Sequence, residues 1–259
     1  MRTSRAARNL ERIPQQPTEQ WSVFFEFLGA CVGRALDERR PASPLDIARF
    51  IEVARPPGPV PPLYRRYLEE FGGGGYDFDL LEDASGAVSS LISSYEEYHG
   101  ENVPPRGLLI GLDGLCGGRA LLYSSDAREP VVVVCWEGVI DYICADSFRN
   151  LLYSKAFIAG YVSQGHTIDG YQHVVDLSRA TKGLWELGFE SLWFSDSYQS
   201  CLWRSDGTAA SLYCTQDRLV ARVSFVSDAG RTSESGEILE ALGLKLSRMD
   251  PPGAVRLLR

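Results

Sequence analysis

The chain has few of the residues on which most enzyme and metal sites are built. Its 259 residues include only 3 histidines, and its 6 cysteines form no C-x-x-C pair of the kind that holds zinc or performs redox chemistry. The G-x-S-x-G elbow of many hydrolases is also missing. We therefore expect no metal, no cofactor and no catalytic residues in this protein.

Long apolar runs are missing as well. The most apolar stretch, residues 21–33, carries Glu26 in its middle and falls short of the roughly 20 residues that cross a bilayer. Residues 1–17 contain several arginines but no apolar segment of the kind found in secretory signals, so we predict a flexible basic tail there. The lack of a long apolar run argues against a membrane partner. Most of the thiols lie inside apolar stretches, which favours a reducing, cytoplasmic location.

Positive charge is the third deficit. Lysine and arginine together number 26 against 34 aspartate and glutamate residues, which gives a formal net charge of -8. A protein that binds the phosphate backbone of nucleic acids needs clustered basic side chains, so this composition argues against nucleic acid as a partner. An acidic protein favours basic partners instead.

Short helical and strand patterns alternate along the chain and predict an α+β fold. Ser43 followed by Pro44 is typical of a helix start. Four β-rich runs are joined by short turns, so we expect a mainly antiparallel sheet flanked by helices. The runs are residues 107–112, 119–126, 130–136 and 139–145.

The character of the sequence changes near residue 165. We assign residues 18–164 to one domain and residues 165–259 to a second, smaller α+β unit. The sequence pattern of this second unit predicts a helix, then four strand-like runs and then another helix. Its dense aromatic residues are more typical of a core than of an interface. They are Trp185, Trp193, Phe194, Tyr198 and Trp203.

Four glycines follow the predicted helix PPLYRRYLEEF. A phosphate-binding loop needs a strand before it and a Lys-Ser/Thr pair after it, whereas this run follows a helix and is closed by Tyr76 and Asp77. We interpret the run as a helix stop and predict that Gly72 or Gly73 takes the left-handed conformation. Apolar and acidic residues alternate over residues 76–81, which predicts a strand with one exposed face.

The histidines do not complete a site. Glu96 and His99 share a predicted helix face, but zinc needs three or four ligands, and a solvated face explains the pair. Two more histidines fall with two aspartates in the segment between the predicted domains, where we expect a surface loop. These residues are His166, Asp169, His173 and Asp176.

A run of acidic residues from Glu69 to Glu101 is the most unusual feature of the chain, because no lysine or arginine interrupts it. Such runs are usually solvated faces, yet aromatic residues among carboxylates also suit an interface in which rings are buried and acids attract a basic partner. Both interpretations stay open. The candidate partner-binding residues are Tyr76, Asp77, Phe78, Asp79, Glu82, Asp83, Tyr95, Glu96, Glu97 and Tyr98.

The order of motifs resembles that of the SUKH superfamily, which groups a fungal cell-wall-synthesis regulator with bacterial toxin-immunity proteins. The resemblance covers about residues 18–162 and is carried by SPLDIARFIE, PPLYRRYLEEFGG, LLIGLDGLCGGRALLY, EPVVVVCW and ADSFRNLL, in that order. The segment before LLIGL is longer than in many members of that family. The positions that match the family pattern are Tyr64, Tyr67, Phe71, Gly72, Gly73, Ile110, Gly111, Asp113, Gly114, Ser147 and Phe148.

The resemblance implies a noncatalytic binding protein, most often an immunity protein that neutralises a toxin domain in the producing cell. Its partner would then be a protein, and a basic toxin domain such as a nuclease would suit the acidic charge. A regulatory scaffold that binds another cellular protein is the alternative function, and an uncharacterised hydrolase is a third. The resemblance does not reach the second unit.

Overall fold

The structure is a computed structural model, and it describes most of the chain. The described residues are 13–78, 80–81, 84–97, 100–113, 117–125, 129–163, 165–172, 176–215, 218–225, 228–243 and 245–249. Of the predicted site residues, Asp79, Glu82, Asp83, Tyr98 and Gly114 lie outside these ranges. No helix in the described ranges is long and apolar enough to cross a membrane.

The chain forms two compact units. The N-terminal unit consists of the described residues of Glu19–Ser22 and Val32–Leu152. The C-terminal unit contains Val23–Cys31, the described residues from Tyr153 onward and the described residues before Glu19. Residue 165, near which we predicted the domain boundary, directly precedes a strand that begins at His166. Ile13 is buried, and the carbonyl of Pro14 accepts a hydrogen bond from the Trp193 indole at 2.6 Å, so the end of the predicted tail is packed.

The N-terminal unit combines helices with one four-stranded sheet. Both the first and the fifth helix of the chain contribute residues to it. The helices are α1 (Trp21–Val32), a 3-10 turn (Gly33–Glu38), α2 (Pro44–Ala54), α3 (Pro62–Phe71), α4 (Val88–Glu97) and α5 (Phe148–Phe157), which continues as a π-helical turn (Ile158–Val162). The strands are β1 (Gly107–Asp113), β2 (Gly117–Leu122), β3 (Val131–Trp136) and β4 (Val139–Ala145).

The four strands form a meander in the order β1-β2-β3-β4, and all neighbours are antiparallel. This confirms the predicted α+β class and the pairing of the four runs. The edge strand β1 is covered: the Leu109 amide donates to the Tyr95 hydroxyl (2.9 Å), and Leu112 exchanges backbone hydrogen bonds with Ser85. The opposite edge, β4, carries two bulges in its pairing with β3.

Local signals explain the helix starts. Ser43 accepts a hydrogen bond from the Asp46 amide at 3.1 Å, and Pro44 occupies the first turn of α2, as predicted. At α5, the Ser147 hydroxyl accepts from the Asn150 amide at 3.1 Å, so Ser147 caps this helix. Each cap satisfies an amide that the helix cannot satisfy itself.

The prediction for the glycine run is wrong in its detail. Gly72 ends α3 with a right-handed backbone (φ -67°), and the positive φ angles fall on Gly74 (88°) and Gly75 (85°). Gly72 and Gly73 are needed for another reason: neighbouring backbone atoms lie too close to leave room for a side chain. A Cβ on Gly72 would lie 2.6 Å from the Leu68 carbonyl oxygen, and one on Gly73 would lie 2.4 Å from that of Pro41.

An aromatic cluster forms the centre of the N-terminal unit. Tyr64, Tyr67 and Phe71 lie on one face of α3, and all are buried. The Phe148 ring contacts Tyr64 and Tyr67 edge-on, with centroids 5.0 and 5.8 Å apart, and Phe78 contacts Phe71 at 5.5 Å. Edge-to-face rings of this kind stabilise a core beyond simple burial.

The described residues of the range 76–81 do not form the predicted strand. Phe78 has a positive φ (50°), and it is buried together with the adjacent pair Leu80 and Leu81. Successive side chains of a strand point to opposite faces, so two neighbouring leucines in one core require a turn. Tertiary burial therefore overrides the alternating pattern.

The C-terminal unit contains a six-stranded sheet in the order β10-β5-β9-β8-β7-β6, with antiparallel neighbours. Apolar side chains of the sheet, among them Leu202, Leu212 and Val223, form a core with Leu184 of α6 and Ile238 of α7. Its described elements are β5 (His166–Gln172), α6 (Leu177–Glu186), β6 (Glu190–Ser191), β7 (Gln199–Trp203), β8 (Ala209–Cys214), β9 (Leu219–Phe225), α7 (Asp228–Ala241) and β10 (Lys245–Met249).

The loop predicted around His166 is a strand. β5 pairs with β9 on one side and with β10 on the other, and the Ile168 side chain is buried. The first of the four strand-like runs, ESLWFSD, forms a strand only over Glu190–Ser191. The aromatic prediction holds for Phe194, which is buried, whereas the Trp185 side chain is exposed.

Candidate functional site

The described acidic residues between Glu69 and Glu101 do not form an uncompensated negative surface. Three of these described residues pair with arginines, one from the same helix and two from distant segments. A run without basic residues in the sequence is therefore partly neutralised in space. The pairs are Glu69 with Arg66 (2.5 Å), Glu70 with Arg39 (3.2 Å) and Glu96 with Arg49 (2.7 Å). Exposed pairs of this kind contribute little to stability, but they reduce the attraction for a basic partner.

Two aromatic residues of the same region are committed to the fold. Phe78 is only 1% exposed and packs on Phe71, so its ring belongs to the core and not to a surface. Tyr95 binds the backbone of β1 through its hydroxyl, and burial raises its pKa to about 12. Tyr76 and Asp77 are half-buried, and Glu97 is exposed. The predicted surface is thus only partly present in the described residues.

An open groove lies beside this region, between α2, α4 and residues 100–107. Its lining mixes apolar side chains such as Leu45 and Val103 with both members of the Arg49–Glu96 ion pair. Opposite charges alternate in the groove, so its electrostatics favour neither a basic nor an acidic ligand.

A different part of the N-terminal unit presents a cluster of exposed apolar side chains. In the hairpin of β3 and β4, Trp136 is 55% exposed, Val139 is 69% exposed and Ile140 is 39% exposed. Single exposed apolar residues are common on soluble proteins, but neighbouring ones mark interaction sites. Ile140 opposes Cys135 and therefore lies on the other face of the hairpin. We call the neighbouring pair Trp136 and Val139 the hairpin patch.

The turn between the two strands explains why the patch protrudes. Glu137 and Gly138 both have positive φ angles, 48° and 73°, which is the geometry of a tight two-residue hairpin. The turn places Trp136 directly opposite Val139. Directly opposed residues of antiparallel strands point to the same face, so these two side chains stand side by side.

The register of the sheet continues this row across two more positions. Trp136 opposes Gly117 of β2, which in turn opposes Asp113 of β1. A Cβ on Gly117 would lie 2.5 Å from Cε3 and 2.9 Å from Cζ3 of the Trp136 indole. The indole therefore rests on the bare backbone of Gly117, and any side chain there would displace it.

Carboxylates flank the hairpin patch. Asp113 stands at the far end of the row, Glu137 lies in the turn and Asp141 follows Ile140 on β4, and all three are exposed. Arg119 lies on the same face of β2, two residues from Gly117, but it is buried and donates a hydrogen bond to the Leu81 carbonyl. The charge that this end of the sheet presents to solvent is therefore negative.

Sequence reasoning missed the hairpin patch. The sequence predicts strands over residues 130–136 and 139–145, but the pattern does not indicate which of their faces is covered. The signal that was available is WEGV, an aromatic and a β-branched residue on either side of a two-residue turn. Exposure itself depends on what packs on the sheet, and the local sequence does not contain that information.

The described thiols and carboxylates have environments that suit structural roles. Burial raises the pKa of Cys31 and Cys201 far above the ordinary value, and it raises that of Cys135 to about 11 despite the nearby Arg119. A protonated thiol is a poor nucleophile. No three His, Cys, Asp or Glu residues in the described ranges are grouped so as to hold a metal ion.

The predicted interdomain residues are also accounted for where they are described. Asp169 forms a two-pronged ion pair with Arg222 of β9, at 2.7 and 3.0 Å. Asp176 caps α6 by accepting from the Arg179 amide at 2.8 Å. His173 lies outside the described residues.

A scan against protein-family models finds no family that matches this chain, and searches of curated proteins and of solved structures find no match either.

Proposed function

We propose that this chain is a noncatalytic binding protein, and specifically an immunity protein that covers and neutralises a toxin domain made by the same cell. The observation that carries the proposal is the hairpin patch, an exposed indole with an exposed valine side chain beside it. Aromatic side chains at the centre of a polar rim are typical of protein interfaces.

The sequence resemblance to immunity proteins supports the same function, because it supplies the class of partner. The negative charge beside the hairpin patch agrees with it, since many toxin domains that act on nucleic acids are basic. The raised thiol pKa values agree with a role in which the chain transforms no substrate.

Coexpression tests this proposal. Each candidate toxin domain from the source genome is induced in a bacterial host with and without this chain, and growth is followed. We expect the chain to restore growth against one toxin domain, and the purified pair to form a one-to-one complex. Growth inhibition that persists with every candidate would overturn the immunity function.

A matched pair of variants links the result to the surface. The double substitution Trp136→Ala with Val139→Ala should abolish protection, whereas Trp185→Ala should leave it intact, because Trp185 is equally exposed but lies on α6 of the C-terminal unit. A complex that forms without protecting growth would instead favour a regulatory scaffold.

A further inference from the structure

The Trp136 indole is positioned before any partner arrives. It is 55% exposed, yet its lower face rests on Gly117, and Val139 stands beside it. A large side chain that is already oriented loses little conformational entropy on binding. Indoles in such positions are among the residues that contribute most to interface affinity.

The edge strand beside the patch is not built to accept another strand. In the pairing of β3 with β4, Val134 opposes Tyr142 while Cys135 opposes Ile140, which leaves Asp141 as an extra residue on β4. Bulges and charged residues on an edge strand prevent it from pairing with a further strand. Recognition at this edge therefore depends on side chains.

A second copy of this chain is a poor occupant of the same surface. A twofold interface brings identical patches together, so Asp113, Glu137 and Asp141 would meet the same three carboxylates of the other copy. Like charges placed against each other across an interface are unfavourable. A partner with cations at these positions meets no such penalty.

From these observations we infer that Trp136 is the anchor by which this chain docks on a basic protein. The indole enters an apolar pocket of the partner, and lysine or arginine residues around that pocket face Asp113, Glu137 and Asp141. Gly117 acts as a positioning residue, since its lack of a side chain sets the height and angle of the indole. The inference rests on the proposed function only in requiring a protein partner.

Photo-crosslinking with the full chain tests the location of the contact. The photoreactive amino acid p-benzoylphenylalanine replaces Val139 in one variant and Trp185 in a control, and each is irradiated in lysate of the source organism. The captured protein is identified, expressed and purified, and its dissociation constant is measured with the wild-type chain. We expect a protein with positive net charge that is captured from position 139 and not from position 185.

Purified variants test the anchor and its seat. Trp136→Ala should raise the dissociation constant at least roughly 30-fold, as for a central hot-spot residue, while Trp185→Ala should change it less than about twofold. Gly117→Ala retains the indole but displaces it, so we expect a loss of roughly fivefold or more. Far-UV circular dichroism and thermal melting confirm that each variant is folded.

The charge contribution is measured by association rates. A triple variant with Asp113→Asn, Glu137→Gln and Asp141→Asn should associate with the partner about tenfold more slowly at low salt. The control variant with Glu96→Gln and Glu97→Gln should associate at the wild-type rate. The inference fails if Trp136→Ala and Trp185→Ala behave alike, if nothing is captured from position 139, if the captured protein is acidic, or if it is a second copy of this chain. Protection of growth by Trp136→Ala would overturn the inference that Trp136 is the anchor, but it would leave the proposed immunity function intact. Capture of a basic protein that is not a toxin would contradict the immunity function but would leave the inference about Trp136 intact.

Discussion

Replacing Gly73 by alanine should destabilise the N-terminal unit more than replacing Gly74, although only Gly74 has a left-handed backbone. A Cβ on Gly73 would lie 2.4 Å from the Pro41 carbonyl oxygen and 2.9 Å from that of Arg40. Ordinary contacts begin near 3.4 Å, so residues 40–41 must move. That movement strains the hydrogen bond from the Gly73 amide to the Arg40 carbonyl (2.8 Å).

The magnitude follows from two costs. Forcing extra volume into a packed site costs about 1 to 3 kcal/mol, and loss of one backbone hydrogen bond adds about 1 kcal/mol. We therefore expect Gly73→Ala to lower the free energy of unfolding by about 3 kcal/mol. Gly74→Ala meets no atom closer than 3.8 Å, and its positive φ of 88° is the source of its cost. That cost is about 1 to 2 kcal/mol.

Urea unfolding followed by far-UV circular dichroism measures both variants against the wild type. Gly74→Asn is the matched control, because asparagine tolerates a positive φ better than alanine and should recover part of the loss. A loss below about 1 kcal/mol for Gly73→Ala, or a larger loss for Gly74→Ala, would refute the assignment of close approach to Gly73.

Three further predictions concern single groups. Ser147→Ala should lower the free energy of unfolding by about 1 kcal/mol, since it removes the cap of α5; urea unfolding measures it, and no change would contradict the capping role. Burial raises the pKa of Asp206, but hydrogen bonds from Arg204 and Thr208 outweigh burial and lower this pKa below 3.8. The stability that the ionised carboxylate contributes is therefore complete above pH 3.8 and is lost as the pH falls below that value. The melting temperature of Asp206→Asn should accordingly approach that of the wild type on acidification, and a constant gap from pH 7 to pH 3 would count against this ion pair. Burial raises the pKa of Cys135 to about 11, so its alkylation at pH 8 should be on the order of 100-fold slower in the folded chain than in urea. Mass spectrometry of the labelled peptide measures both rates. Equal rates would show that the thiol is not buried.

Local chemistry accounts for the parts of the fold that were predicted correctly. Ser43 and Pro44 specify the start of α2 because a hydroxyl acceptor and a fixed φ act within one turn of chain. The four strands β1 to β4 were predicted because β-branched runs and turn residues alternate over short distances. The close packing of α3 against Phe148 also agrees with the positions that the sequence indicated.

Predictions failed where a pattern has more than one spatial meaning. The alternation over residues 76–81 is that of a strand, but burial of both Leu80 and Leu81 requires a turn. The acidic run was correctly identified, yet the arginines that neutralise Glu70 and Glu96 come from residues 39 and 49, which are distant in sequence. Long-range pairing of this kind leaves no local trace.

The sequence by itself determined the α+β class, the helix caps and most strands of this protein, because these depend on interactions between residues a few positions apart. Only the tertiary structure decided which surface is open to a partner. Trp136 and Val133 belong to one continuous β-rich run, yet Val133 is buried and Trp136 is exposed. The difference arises because exposure depends on the other segments that pack on each end of the sheet, and those segments are far away in the chain.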